Sequence, residues 1–143
     1  VRGSIPRAPT ILPSLPVSVT VAIKALSIVR PGGTHVRSGA KTLEVRRWRP
    51  DLSPSDDLLI VENARFLHAE GDQDPAGLAV AIVRVGSVRP FVPGDMAAAC
   101  ASRFEQGWLA WELRDIRPLA GTAIILAARG IYQVAFTPTG QNL

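Results

Sequence analysis

Apolar residues in this chain come in short runs rich in valine and isoleucine, each cut by glycine, proline or charge before a long helix can form. Residues 17–28 begin with alternating Val17, Val19 and Val21 and continue through Ile23, Leu26 and Ile28, which reads as a strand. Residues 41–48, 58–61, 77–88, 108–116 and 123–136 read the same way, the last with a bulge or turn at Arg129 and Gly130. Strands 58–61 and 77–88 are expected to pair as neighbours across the solvated loop 69–75. The pattern predicts a mainly β fold with short helices, of the α+β class, built as a small barrel of five or six strands.

Two helices are expected. Pro31 suits the first helical turn and Gly39 a left-handed end, which bounds a short helix at 33–38. Residues 93–102 open with Pro-Gly-Asp and run on through alanines, giving the clearest helix, with Cys100 as a small buried residue. The 143 residues suit one domain, at 17–137, between an extended N-terminal tail at 1–16 and a C-terminal tail at 138–143.

Charge narrows the function. Fourteen of the 16 basic residues are arginine, whose planar fork matches phosphate and carboxylate. Residues 24–49 hold seven bases and one acid, whereas residues 51–74 hold seven acids and one base, so a basic face is expected. The charge-free run 8–23 carries Pro9, Pro13 and Pro16 and cannot form a membrane-spanning helix. One cysteine, Cys100, excludes an intrachain disulfide and fits a reducing compartment, so the expected location is the cytoplasm. His68, Glu70, Asp72 and Asp74 crowd the acidic loop but match no metal-ligand spacing, and neither a metal nor a cofactor is expected.

The chemistry concentrates at 39–49, Gly-Ala-Lys-Thr-Leu-Glu-Val-Arg-Arg-Trp-Arg. On a strand, Thr42, Glu44, Arg46 and Trp48 share one face, while Leu43 and Val45 point the other way into a core. Arg46, Arg47 and Arg49, with Lys41, Arg37 and Arg30 nearby in sequence, form a candidate phosphate-binding groove, and Trp48 between them a ring on which a base stacks. The competing reading puts Trp48 in the core and pairs the arginines with Asp51, Asp56 and Asp57. Lys41 and Glu44 are also candidates for proton transfer, against the simpler reading in which Glu44 only fixes Arg46. Of Trp108 and Trp111, one is expected in the core and the other beside the cleft, with Glu112 a further candidate for meeting the basic groove.

Gly39, Lys41, Glu44 and Arg46 match the G-x-K-x-x-E-x-R motif of ASCH domains. The surrounding A-L-S-I-V-R-P, D-L-L-I-V-E-N and R-G-I-Y-Q-V resemble the same family in the same order, over about residues 22–136. The resemblance implies a PUA-like β-barrel with a cleft beside the motif, and association with RNA or modified nucleosides. It implies Lys41, Glu44 and Arg46 as site residues, with Arg49, Trp48 and Glu112 only as neighbours of the site. The function expected on this basis is binding of RNA or a nucleotide by a monomer, with no membrane role. The alternative is a metal-independent hydrolase, a ribonuclease or a modified-nucleoside amidohydrolase, using Lys41 and Glu44. Amidohydrolases of this type carry a threonine three residues after their lysine, where this chain has Glu44.

Overall fold

The computed structural model describes residues 19–121 and 123–138, so the tail expected at 1–16, all but the first residue of the tail expected at 138–143 and the start of the first expected strand lie outside the described residues. Strand β1 (Val21–Val29) leads into helix α1 (Gly32–Ser38), then β2 (Leu43–Arg46), β3 (Leu58–Asn63) and the long β4 (Gln73–Pro90). A 3-10 turn (Pro93–Asp95), helix α2 (Met96–Ala99), β5 (Leu109–Pro118), β6 (Ile124–Ala128) and β7 (Ile131–Phe136) complete the order. The protein is mainly β with two short helices, of the α+β class.

Two details differ from the sequence reading. Seven strands form among the described residues, not five or six, because the turn at Arg129 and Gly130 separates two ladders: β6 pairs with β4 and β7 with β1. The sheet also stays open, running β2-β5-β4-β3-β1-β7 with β2 and β7 at its ends. The reason lies in the sequence after Arg46. Two further arginines, Trp48 and Pro50 follow, and a proline without an N–H cannot extend a ladder. β2 therefore stops after four residues, paired with β5 alone.

β1 and β3 run parallel, which requires a crossover, and residues 30–57 with α1 and β2 supply it. β3 and β4 pair antiparallel as expected. β4 is the spine: β3 and β6 pair along its first part and β5 along the rest, with register shifts that bend it. One core lies around Leu26, Leu58, Val83 and Trp111, and a second around Ala25, Leu59, Val61 and Ala127.

α1 starts one residue before its expected limit and stops as expected at Ser38, capped by Gly39 with a φ of 85°. Gly33 allows its close approach to β3, since a Cβ there would lie 2.7 Å from Cβ of Glu62. The helix expected at 93–102 is much shorter. Asp95 accepts a hydrogen bond from the Val92 N–H and pairs with Arg89, fixing a 3-10 turn, and Cys100 ends α2 in the left-handed region at φ 52°. That terminal position leaves Cys100 exposed, not buried.

Candidate functional site

β2 divides its side chains between two environments, as its alternation predicts. Leu43 and Val45 pack with Phe91, Ala99 and Ala110 in a third apolar cluster. Glu44 and Arg46 take the other face, where Trp111 of β5 stands opposite Glu44. Trp111 is fully buried, and its indole N–H donates to the Trp48 carbonyl at 3.2 Å. The two indoles meet edge to face at 5.0 Å, which fixes Trp48 just beyond the strand with 37% of its surface exposed.

Lys41 lies behind this face. Its ammonium donates to the carbonyls of Ala99 at 2.7 Å and Leu43 at 2.8 Å and pairs with Oε1 of Glu44 at 3.1 Å. An ammonium has three donors, so all are engaged. Oε2 of Glu44 accepts from Nε of Arg46 at 2.7 Å. Arg46 then donates through Nη2 to the Ser27 carbonyl of β1 at 2.8 Å. A charge chain thus runs from the α2 end through Lys41, Glu44 and Arg46 to β1, crossing the gap that the sheet leaves open. Burial pushes the Glu44 carboxyl upward, but Arg46 and Lys41 outweigh it and hold the group below its ordinary value.

A hollow of about 720 Å³ opens at this seam. Ser27, Ile28 and Val29 of β1 line it, with residues 44–48, Asn63, Phe66 and the turn between β6 and β7. A smaller hollow of about 390 Å³ shares Val45, Arg46, Arg47, Trp48 and Arg129 with it and adds Trp108. Arg47 and Arg129 are exposed and make no hydrogen bond or ion pair among the described residues. Phe66, 73% exposed, presents a second ring to the larger hollow.

The structure thus brings Glu44, Arg46 and Trp48 to one hollow and sets Lys41 behind them. Arg30 and Arg49 are exposed but line neither hollow; Arg49 reaches the Val88 carbonyl at 3.5 Å. Of the acids offered as partners for the arginines, Asp56 pairs with Lys24 and Asp57 with Arg84 and Arg117, while Asp51 accepts from Lys24 only through its backbone carbonyl, at 3.3 Å. Glu112 binds Ser87 and Arg114, away from the hollows. In the acidic loop Asp72 accepts the backbone N–H groups of His68 and Ala69, and no metal-holding cluster forms among the described residues. Arg129, Asn63 and Phe66 were not singled out from sequence, because each reaches the hollow through the pairing of distant strands. Only Arg129, a charge placed in a tight turn, carried any local signal.

A family model, the ASCH domain, matches residues 26–125. The chain belongs to the ASCH domain family. Among solved structures it is similar to the ASCH protein from Zymomonas mobilis, at 17% identity and a TM-score of 0.52, over 67% of this chain and 69% of that one. An S128A variant of the same protein aligns at 18% identity and a TM-score of 0.48, over 68% of this chain and 70% of that one. No curated protein matches the chain. The family match covers the whole of β2 and the hollow up to the start of β6, so the arrangement described lies within the ASCH domain apart from the turn that carries Arg129. No helix among the described residues is long and apolar enough to cross a membrane.

Proposed function

We propose that this ASCH domain binds single-stranded RNA or a nucleotide in the seam hollow, as a monomer in the cytoplasm, with residues 17–137 as the folded unit. The observation that carries the reading is the convergence of Arg46, Arg47 and Arg129 with Trp48 and Phe66 on one concavity. Guanidinium groups without an internal partner suit phosphate, and exposed rings suit stacking, worth about 1 to 3 kcal/mol per base. The family's frequent link to RNA points the same way.

Within this reading Arg47 and Arg129 contact phosphate, Trp48 and Phe66 stack on bases, and Lys41 acts through Glu44 by holding Arg46 across the seam. The hydrolase alternative asks Lys41 and Glu44 to trade a proton. All three donors of Lys41 are committed and Glu44 is held anionic, which favours binding over that chemistry. The test is fluorescence anisotropy with a labelled single-stranded RNA octamer. Arg47→Ala and Arg129→Ala are each expected to weaken binding about tenfold. Unchanged affinity in the double variant removes the hollow as the binding site.

A further inference from the structure

The two hollows meet along residues that they share. Val45, Arg46, Arg47, Trp48 and Arg129 line both, whereas Phe66 lines only the larger and Trp108 only the smaller. Arg46 is already committed to Glu44 and to the Ser27 carbonyl. Arg47 and Arg129, exposed and without a hydrogen bond or ion pair among the described residues, are therefore the available cations common to the two hollows, and each hollow keeps an aromatic ring of its own. Trp108 is fixed in place by its neighbours: the ring of Phe91 lies 6.4 Å away and 27° from parallel, and the Arg103 guanidinium stands 5.2 Å from its centroid. A wall ordered in advance lowers the ordering cost of binding. At about 720 and 390 Å³, both hollows fall within the range of roughly 300 to 1,000 Å³ in which proteins hold small organic groups.

We propose that the smallest ligand that fills this site is two consecutive nucleotides of one strand, with a base in each hollow and the phosphodiester that joins them on Arg47 and Arg129. This rests on the RNA-binding reading of the same seam and narrows it from RNA or a free nucleotide to a strand with at least one internal phosphate. The argument is one of matching order. Along the seam the chemistry runs from a ring, through shared cations, to a second ring, and a nucleic-acid strand runs from base, through phosphate, to base. A free nucleotide has one base and one terminal phosphate, so in the larger hollow it leaves the smaller one and Trp108 uncovered. Trp48, exposed and common to both hollows, serves either base. Contacts to the phosphate set the register of the strand, and the rings then hold the bases on its two sides.

The test is competition against the labelled single-stranded octamer, comparing adenosine monophosphate with the dinucleotide ApA at fixed salt. ApA carries one negative charge and the monophosphate nearly two, so attraction to the arginines alone favours the monophosphate. ApA is expected to bind about tenfold more tightly, as a second held base supplies. ApA with a neutral methylphosphonate linkage is expected to lose about tenfold against ApA in the unaltered protein and nothing in the double variant Arg47→Ala, Arg129→Ala. In Trp108→Leu, checked for native circular dichroism, ApA is expected to lose most of its advantage over the monophosphate. A monophosphate that binds as tightly as ApA overturns the inference and needs no variant. So does an ApA advantage that survives in full either the neutral linkage or Trp108→Leu. Failure of both small ligands to displace an octamer that itself binds also overturns it, since two nucleotides then do not fill the site. In each of these cases, loss of octamer affinity in the double arginine variant keeps the RNA-binding reading while the two-nucleotide assignment fails. If the octamer itself does not bind, the reading fails and takes the assignment with it.

Discussion

The ammonium of Lys41 lies 3.1 Å from a carboxylate oxygen of Glu44, with 8% of one side chain and 6% of the other exposed. Opposite charges buried this deeply depend on each other, because removing either partner leaves the other unpaired in a poorly solvated place. Lys41→Met and Glu44→Gln are each expected to lower stability by about 3 to 5 kcal/mol in urea unfolding. The double variant is expected to lose less than the sum of the two, with a coupling of about 1 kcal/mol or more. Strict additivity would show that the pair does not act as a unit.

Acid is expected to weaken the fold through the same carboxylate. The folded-state pKa of Glu44 lies below its ordinary value, since Arg46 and Lys41 outweigh the opposing effect of burial. A depressed carboxylate contributes stability that is fully present above its unfolded pKa, about 4.3, and is lost as pH falls through the lower folded value. Asp57, held down chiefly by its hydrogen bond from Arg117, adds to the same acid limb. The unfolding free energy should therefore fall steeply below about pH 4.3. In Glu44→Gln that limb should be shallower but still present, because Asp57 remains. An unchanged limb would remove Glu44 as a contributor.

Much of this was legible in sequence because it depends on local periodicity. The alternation of Leu43 and Val45 against Glu44 and Arg46 placed two residues in a core and two on the other face, and the structure packs Leu43 and Val45 on the apolar cluster, although the half-buried Val45 also lines both hollows. Pro31 and Gly39 set the limits of α1 for reasons internal to a single turn. What sequence did not give is depth and long-range closure. Lys41 reads as a base beside a phosphate groove or as a proton-transfer candidate, yet the carbonyl of Ala99, 58 positions away, helps draw its ammonium inward. Arg129 reaches the hollow only because β6 and β7 pair with different strands. Pro50 and the arginines before it mark where β2 stops, but where that end falls relative to β1 is set by the pairing of β2 with β5, which no local pattern specifies.

Gly33 offers a test in which helix propensity and packing predict opposite signs. Alanine is favoured over glycine inside a helix by about 1 kcal/mol, so propensity alone predicts stabilisation. The new Cβ would lie 2.7 Å from Cβ and 3.1 Å from Oε2 of Glu62. Glu62 accepts from the Thr34 N–H at 2.7 Å and from its hydroxyl at 2.9 Å, so it is not free to move aside. Gly33→Ala is expected to lower stability by about 1 to 3 kcal/mol, as overpacking does. A raised melting temperature would mean that α1 can lift from β3 without cost.

Salt dependence separates the arginines of the hollow from those that are near it only in sequence. For single-stranded RNA the slope of log affinity against log salt changes by about 0.7 for each phosphate neutralised. Arg47 and Arg129 have no internal partner among the described residues and line both hollows, so each Arg→Ala variant should lose about one such increment. Arg30 and Arg49 line neither hollow, and their variants should keep the full slope. Arg46 is the intermediate case, since its side chain already holds Glu44 and the Ser27 carbonyl. Arg46→Lys keeps the charge but not the planar fork that reaches both, so it should loosen the seam and weaken binding with little change in slope. If Arg30→Ala and Arg49→Ala flatten the slope as much as Arg47→Ala and Arg129→Ala do, the RNA tracks the charge of residues 24–49 as a whole and not the concavity at the seam.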